Sequence, residues 1–176
     1  DGSLRFPRAA VSSQYIDQLL HRITGDVVVD SFDHLPIPFQ AIATDLLTGD
    51  TYVFDHGDLA FAQRASMAVP GLFEPVELED RLLVDGGMVD NIPLDIVRQM
   101  GVDVAIVVDI GTPLRNRKQL ATVVDVLNQS ITLMTRRNSE EQLAALKRDD
   151  ILIQPPLASF GVTDFGRAHE MVDAGY

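Results

Sequence analysis

The spacing of apolar residues in the first half of the chain predicts alternating helices and strands. Up to residue 23, apolar side chains recur every three or four positions, as on one face of an amphipathic helix. Residues that favour strands stand on both sides of Gly49 and predict a hairpin. The predicted elements are a helix to residue 23 begun by Ser12 or Ser13, strands over 38–46 and 51–54, a helix over 59–67 capped by Asp58, and short strands at 78 and 82–84.

The second half of the chain continues this alternation. Residues 104–110 form an unbroken run rich in Val and Ile, which predicts a strand buried on both faces, as in a parallel sheet. Arg136, Arg137 and Asn138 are expected to interrupt a helix. The predicted elements are a helix over 94–100 ended by Gly101, the strand over 104–110, helices over 121–134 and 139–146, a strand over 151–153, and a last helix toward Ala174 capped by Thr163 or Asp164.

This order of elements indicates an α/β fold in layers, with a mainly parallel central sheet flanked by helices. No internal repeat, low-complexity tract or linker suggests a domain boundary, so residues 1–176 are expected to belong to one domain. The chain starts at Asp1 instead of an initiator methionine. We therefore expect an N-terminal part of the domain, including the first strands of the sheet, to be missing from it.

Composition narrows the classes of function. Apolar residues make up 46% of the chain, enough for a substantial core, while the net charge of −12 argues against nucleic acid as a partner. The same charge argues against docking on anionic lipid by charge alone. Because cysteine is absent, disulfides, thiol nucleophiles and Cys-based metal sites are excluded. No apolar run approaches about 18 residues, so no transmembrane helix is expected.

One short motif carries a chemical signal. The apolar run over 82–84 leads directly into Asp85, and Gly86 and Gly87 follow. The ends of buried strands are where α/β enzymes fix catalytic groups, and the glycines let the backbone turn while leaving space around the acid. Taken alone, an Asp-Gly step after a strand is most often only a turn. The neighbouring motifs decide between these two interpretations.

Those neighbours occur in a fixed order along the chain. Leu-Pro-Ile-Pro-Phe at 35–39 precedes Arg-Ala-Ser-Met-Ala-Val-Pro-Gly-Leu-Phe at 64–73, and Asn-Ile-Pro at 91–93 follows the Asp-Gly-Gly motif. Gly-Val-Asp at 101–103 then leads into the apolar run. In this order and spacing, the chain resembles the C-terminal half of the bacterial patatin-like phospholipase domain. The resemblance runs from about residue 35 to about 110, and more weakly to 176.

The resemblance implies lipid acyl hydrolysis by a Ser–Asp dyad. The acid of the family lies in Asp-Gly-Gly and falls on Asp85, while its nucleophile lies in Gly-x-Ser-x-Gly after a glycine-rich loop that stabilises the oxyanion. No serine of this chain has glycine both two residues before it and two residues after it. At these positions Ser66 has Arg64 and Ala68. A carboxylate alone cannot perform covalent acyl transfer, so we expect the nucleophile to lie outside this chain.

Five further residues are candidates for supporting roles. Asn91 and Pro93 match the Asn-x-Pro of the family and are expected to support the acid structurally, with Asn91 satisfying loop backbone groups beside it. Val69, Leu72 and Phe73 form an apolar loop. This loop either lines a channel for the acyl chain or packs in the core, and the sequence leaves both roles open.

The remaining polar candidates have structural interpretations. Asp45 is expected to be a hydrogen-bonding structural residue, and Asp109 is either a ligand-binding acid at a strand end or a cap. Arg64 is expected to form a buried ion pair with a nearby acid. The neighbouring carboxylates of Asp149 and Asp150 are interpreted as solvated charges. The four histidines lack the spacing of a zinc site, so neither a metal nor a cofactor is expected.

Three functions remain open. The leading one is a serine esterase acting on glycerophospholipids or lysophospholipids. The alternatives are a non-catalytic interaction module with the same fold and a nucleotide-binding α/β domain, which lacks a phosphate-binding glycine pattern here. The expected partners are a lipid substrate and a membrane surface, with no nucleic acid, and an oligomer is compatible with the resemblance. The resemblance favours a secreted or outer-membrane-associated bacterial protein over a cytoplasmic one.

Overall fold

The computed structural model describes residues 13–111, 113–157, 160 and 164–175. The helices are α1 (Ser13–Thr24), α2 (Leu59–Ser66), α3 (Leu94–Gln99), α4 (Val123–Ala144) and α5 (Ala168–Gly175). The strands are β1 (Val28–Val29), β2 (Ala41–Asp45), β3 (Thr51–Phe54), β4 (Gly57–Asp58), β5 (Val76–Leu78), β6 (Arg81–Asp85), β7 (Ile106–Val108) and β8 (Ile151–Ile153). Short 3₁₀ turns lie at Phe32–His34, Gly86–Met88, Arg117–Gln119 and Phe165–Arg167. The chain divides into two compact units, the first ending at Asp90 and the second beginning at Asn91. The expectation of a single domain stays a prediction.

The first unit is built on a four-stranded antiparallel sheet with the strand order β3–β2–β6–β5. Two hairpins supply its strands, β2 with β3 and β5 with β6. The hairpins meet where β2 pairs with β6, with Ala43 opposite Asp85. Strands β1 and β4 form a separate antiparallel pair. The strand that carries Asp85 is therefore central in its sheet, with a neighbour on each side.

Turn chemistry explains the two hairpins. The predicted hairpin around Gly49 is confirmed, and Gly49 has a φ of +80°, which glycine adopts without a steric penalty. Glu79, in the second turn, has a φ of +51°. The buried carboxylate of Asp45 accepts from the N–H of Leu47 at 3.0 Å and pairs with Arg81 at 3.1 Å. The predicted structural role of Asp45 is therefore confirmed.

Helix α2 packs on this sheet through small residues. Asp58 caps it as predicted, because its Oδ1 accepts from the N–H groups of Ala60 at 2.8 Å and Phe61 at 3.1 Å. Its buried alanines let the helix axis approach the sheet closely. The core formed in this way comprises Phe32, Ala41, Ala43, Phe54, Ala62, Ala65, Ala68, Val76 and Leu83.

The second unit contains a parallel strand pair and the long helix α4. Strands β7 and β8 pair with Ile106 opposite Ile151. Its core is smaller and comprises Ile92, Leu94, Ala105 and Val107, with Leu143 and Leu146 packed against it. Of the helices that the structure describes, none is both long and apolar enough to cross a membrane.

The sheets differ from the predicted mainly parallel central sheet, which is not confirmed. Among the described strands, the largest sheet is antiparallel, and the parallel pairing is that of β7 with β8. Connections of a few residues reverse the chain and so make neighbouring strands antiparallel. The run over 104–110 forms a strand at β7 alone, where Ile106 and Val108 are exposed and Val107 is buried. The prediction that this strand is buried on both faces is wrong.

Helix α4 is continuous, so the predicted interruption at Arg136, Arg137 and Asn138 is wrong. Arginine has a high helix propensity, and the segment contains neither Gly nor Pro. Arg136 also pairs with Glu140, four residues later, at 2.8 Å. The N-terminus of α4 is closed by a capping box between Thr122 and the residue three positions on.

The two neighbouring acids at 149 and 150 have different environments. Asp149 is exposed. The side chain of Asp150 is 1% exposed and accepts from the N–H groups of Ala105 at 2.9 Å and Lys147 at 2.6 Å, and from the guanidinium of Arg98. These donors, the Ala105 N–H foremost, lower the pKa of Asp150 to about 2. The interpretation of Asp150 as a solvated charge is therefore wrong, because this carboxylate joins three segments of the second unit.

Replacing Asp150 with Asn is expected to lower the melting temperature at neutral pH, because an amide cannot accept from all three donors. The pKa of Asp150 is lower in the folded chain than its ordinary 3.8. Its stabilising contribution is therefore complete above that value and is lost as the pH falls toward 2. Thermal unfolding followed by circular dichroism should show the gap between wild type and Asp150→Asn closing over this interval. Asp149→Asn is the matched control and should leave the melting temperature unchanged. Equal shifts for the two variants would contradict the role given to Asp150.

Candidate active site

Asp85 ends β6 and begins the 3₁₀ turn Gly86–Met88. Its Oδ1 accepts from the backbone N–H of Gly87 at 2.7 Å, so the carboxylate caps the turn that follows it. Among the residues that the structure describes, its Oδ2 has no hydrogen-bond partner. One carboxylate oxygen is thus anchored to the protein, and the other is available to a bound molecule or a further side chain.

The backbone of Asp85 is held from two sides. Its N–H donates to the carbonyl of Ala68, just beyond α2, at 3.1 Å. Its carbonyl accepts from the hydroxyl of Thr44 on β2 at 3.0 Å. Sequence reasoning missed Thr44. The available signal was a hydroxyl within the apolar run of β2, since a buried polar group requires a partner.

Burial changes the acidity of this carboxylate. The half-buried position of Asp85 raises its pKa above the ordinary 3.8, and the hydrogen bond from Gly87 opposes that rise only in part. A carboxylate with a raised pKa is a stronger proton acceptor than a solvated one. Asp85 is therefore better suited to act as a general base than the aspartate of a solvent-exposed Asp-Gly turn would be.

Close packing explains the need for glycine at position 86. A Cβ atom on Gly86 would lie 2.3 Å from the carbonyl oxygen of Ile42 and 2.6 Å from its carbonyl carbon. These are backbone atoms of β2, which cannot move aside as a flexible side chain can. Gly86 therefore lets the loop after Asp85 lie directly against β2, and its structural role beside the site stays a prediction.

Comparison with known proteins assigns this arrangement to a family. The family model described as patatin-like phospholipase matches residues 1–98, which include Asp85 and the strand that carries it. The chain belongs to the patatin-like phospholipase family. Its predicted α/β class is supported by this membership.

Several curated relatives of this patatin-like chain are longer proteins. An NTE family protein of Mycobacterium tuberculosis is 42% identical over 89 residues, covering 51% of this chain and 24% of the relative. Patatin-like phospholipase domain-containing protein 7 of the mouse is 32% identical over 169 residues, covering 82% of this chain and 12% of the relative. A second M. tuberculosis NTE family protein is 27% identical over 181 residues, covering 91% of this chain and 30% of the relative. The chain thus spans less than a third of the length of each of these relatives.

The Asn-x-Pro residues of this patatin-like chain lie at the start of the second unit. The amide of Asn91 donates to the hydroxyl of Ser139 on α4 at 3.4 Å, and that hydroxyl donates to the carbonyl of Thr135 at 3.0 Å. Asn91 therefore contacts a helix, where loop backbone groups were expected. Pro93 immediately precedes α3. The support that these two residues give to Asp85 stays a prediction.

The apolar loop after α2 is partly buried. The N–H groups of Leu72 and Phe73 both donate to the carbonyl of Val69 at 3.0 Å, which closes a turn. Phe73 is buried, and the guanidinium carbon of Arg64 lies 5.6 Å from the centre of its ring. This contact favours the packing role for Phe73. Val69 and Leu72 are half-buried, so the acyl-chain channel stays a prediction for those two residues.

The other sequence candidates have structural partners. Asp109 accepts from the N–H of Gly111 at 2.9 Å and from the amide of Gln154 at 2.9 Å, which favours the cap interpretation. The buried Arg64 pairs with Asp17 at 3.2 Å, as predicted. In the described part of the chain, no group of three His, Asp or Glu side chains is placed to hold a metal ion.

Replacing Gly86 with Ala is expected to destabilise the fold by about 1–3 kcal/mol, because the new methyl group forces β2 and the turn Gly86–Met88 apart. Urea unfolding followed by circular dichroism measures this difference. Gly166→Ala is the matched control, since a Cβ atom there meets nothing within 4 Å. The two variants having the same free energy of unfolding would rule out the close contact with Ile42.

Proposed function

We propose that the protein is a serine lipid acyl hydrolase of the phospholipase A or lysophospholipase type. Asp85 is its proton acceptor, and the nucleophilic serine lies outside residues 1–176. The observation that carries this proposal is the carboxylate at the end of β6, half-buried, raised in pKa and anchored through one oxygen. Membership of the patatin-like phospholipase family supports an ester of a lipid as the substrate.

The geometry of Asp85 suits the proton transfers of a dyad. In the first step, the serine hydroxyl proton passes to Oδ2 of Asp85 as the serine oxygen bonds to the ester carbonyl carbon. The proton then passes to the oxygen of the departing alcohol, so the ester bond breaks and an acyl-enzyme remains. Water repeats the sequence, with Asp85 accepting its proton, and releases the fatty acid while restoring the serine hydroxyl.

The environment of Asp85 supports this role in two ways. Burial raises its pKa and so strengthens it as a base, which a dyad without histidine requires. Two hydrogen bonds hold its backbone, one from its N–H to the carbonyl of Ala68 and one from the hydroxyl of Thr44 to its carbonyl. They keep the carboxylate in one place, so little reorganisation is needed when the proton moves. A hydrolase with this base loses activity as the pH falls through the pKa of Asp85, which lies above 3.8.

Asp85→Asn in the full-length protein is expected to lower kcat for ester hydrolysis by about 10²–10⁴-fold, the range for loss of a general base. The variant should remain folded at neutral pH. The pKa of Asp85 in the folded chain is higher than its ordinary 3.8. The free energy of unfolding therefore falls as the pH rises from 3.8 through the raised pKa, and replacing the carboxylate with a neutral amide removes this loss of stability. Steady-state hydrolysis of a soluble short-chain ester, together with thermal unfolding, measures both effects.

Asp109→Asn is the matched control for this experiment, because Asp109 also follows a strand but caps a loop. It should retain wild-type turnover. Near wild-type activity in Asp85→Asn would refute the dyad. Absence of ester hydrolysis in the wild-type full-length protein would instead favour the non-catalytic interaction module.

Leu72→Asp tests the proposed acyl-chain channel. A charge at this half-buried position should reduce hydrolysis of long-chain esters by about tenfold or more, while turnover of short-chain esters stays at the wild-type level. The comparison of kcat/KM across chain lengths gives the result. Leu47→Asp, at an exposed position, is the control and should affect neither substrate. Equal losses for short and long chains, or misfolding, would show that Leu72 is a packing residue.

A further inference from the structure

One segment of the second unit has a charge opposite to that of the whole chain. Residues 113–137 contain five Lys or Arg and one Asp, a local net charge of +4, whereas the chain carries −12. This basic segment comprises the loop before α4, the turn Arg117–Gln119 and the first part of α4. Its net positive charge attracts anions, in contrast to the net negative charge of the whole chain.

The first part of α4 also exposes an apolar face. At 3.6 residues per turn, Val123, Leu127 and Met134 project from one side of the helix, and they are 77%, 58% and 69% exposed. Ser139 and Leu143, which pack into the second unit, lie on the opposite side. The apolar face of α4 therefore points away from the core to which the helix belongs.

Hydrogen bonds fix the basic loop beside this helix. The guanidinium of Arg115 pairs with Asp125 at 2.6 Å, and its backbone N–H donates to the side-chain carbonyl of Gln129 at 3.0 Å. The amide of Gln129 donates in return to the carbonyl of Arg115 at 3.3 Å. The loop is thus attached to the first two turns of α4, with Arg117 and Lys118 exposed next to it.

The exposed cations of this segment are not explained by the stability of the helix. A helix N-terminus favours acidic groups and disfavours cations, yet Arg117 and Lys118 come just before it. Among the described residues, Arg117, Lys118 and Arg137 form no ion pair within the protein. Their charges are therefore available to an anion outside the chain.

We propose that the basic segment docks on an anionic lipid surface. The apolar face of α4 enters the boundary of the acyl chains, and Arg117, Lys118 and Arg137 face the phosphates of the head groups. Helices that lie in a membrane interface combine an apolar face with flanking cations in this way. The net charge of −12 does not prevent it, because charges more than about 10 Å from the surface are screened by salt.

A second copy of the chain fits this surface less well. A symmetric dimer through α4 brings two segments of net charge +4 against each other, and like charges across an interface oppose association. An anionic bilayer instead offers both the apolar interior and the negative charge that the segment matches. The lipid surface is therefore the occupant that the charges and the apolar face favour together.

Cosedimentation of the full-length protein with vesicles tests the proposal. Binding is expected to vesicles of phosphatidylcholine mixed with phosphatidylglycerol, to be weaker with phosphatidylcholine alone, and to fall with added salt. Leu127→Asp should reduce partitioning by about tenfold or more, as a Leu side chain is no longer buried. The double variant Arg117→Glu with Lys118→Glu should reduce it by at least about fivefold for each reversed charge.

Matched variants control for hydrophobicity and net charge. Ile37→Asp removes another exposed apolar residue, and Arg22→Glu with Arg148→Glu reverses two exposed charges elsewhere, so both proteins should bind as wild type does. Equal binding to the two kinds of vesicle overturns the proposal. A lower melting temperature or a changed oligomeric state in Leu127→Asp also overturns it, because the face is then covered by protein.

The result is independent of catalysis. Asp85→Asn is expected to bind vesicles as the wild type does, and Leu127→Asp is expected to hydrolyse a soluble short-chain ester at the wild-type rate. A protein that binds vesicles without hydrolysing esters therefore disproves the proposed hydrolase alone. A protein that hydrolyses soluble esters but binds neither vesicle disproves the docking surface alone.

Discussion

The contact between Gly86 and the backbone of Ile42 sets the position of Asp85. Strands β2 and β6 pair antiparallel with Ala43 opposite Asp85, and the chain must then leave β6 directly against β2. A side chain at position 86 would collide with the carbonyl group of Ile42, so only glycine allows this path. The hydroxyl of Thr44, two residues along β2, then reaches the carbonyl of Asp85. The candidate site is thus a consequence of how closely two strands can approach.

Two carboxylates of this protein show how the same side chain acquires different properties. Asp150 accepts from two backbone N–H groups and a guanidinium, so its charge is compensated and its pKa falls to about 2. Asp85 accepts from Gly87 with one oxygen, and burial outweighs that bond and raises its pKa. Asp150 therefore stabilises the fold as an anion at neutral pH. Asp85 is instead held in a position where its charge is unfavourable, which is the property expected of a group that exchanges protons.

The sequence predicted elements whose signals are local. Asp58 and the turn at Gly49 were recognisable, because a cap and a turn depend on residues within a few positions. The choice of Asp85 as the candidate acid rests on its place at the end of an apolar strand and on the order of the motifs around it, and its catalytic role stays a prediction. The partner of Thr44 and the Ala105 N–H that binds Asp150 lie some 40 to 50 residues away in sequence. A local pattern, such as the hydroxyl within the apolar run of β2, shows that a partner is required but does not identify it.

The strand at 104–110 shows a different limit of sequence reasoning. A run of Val and Ile has the same appearance whether one face is buried or both, and the structure buries Val107 while exposing Ile106 and Val108. The antiparallel pairing within the two hairpins of the first unit follows from short connections, whereas the apolar content of the strands is equally compatible with parallel pairing. Composition indicated that these segments are strands, and connectivity decided how they pair.

The continuity of α4 gives the proposed docking face its orientation. A break near Arg136 would separate the first part of the helix from Leu143 and leave its rotation undetermined. Because the helix is unbroken from Val123 to Ala144, the packing of Leu143 and the buried Ser139 fixes the rotation of every preceding turn. The side that carries Leu127 must then face outward, although an apolar side chain favours burial. A rigid helix that is anchored at one end can therefore hold an apolar surface in water, which a flexible segment would fold away.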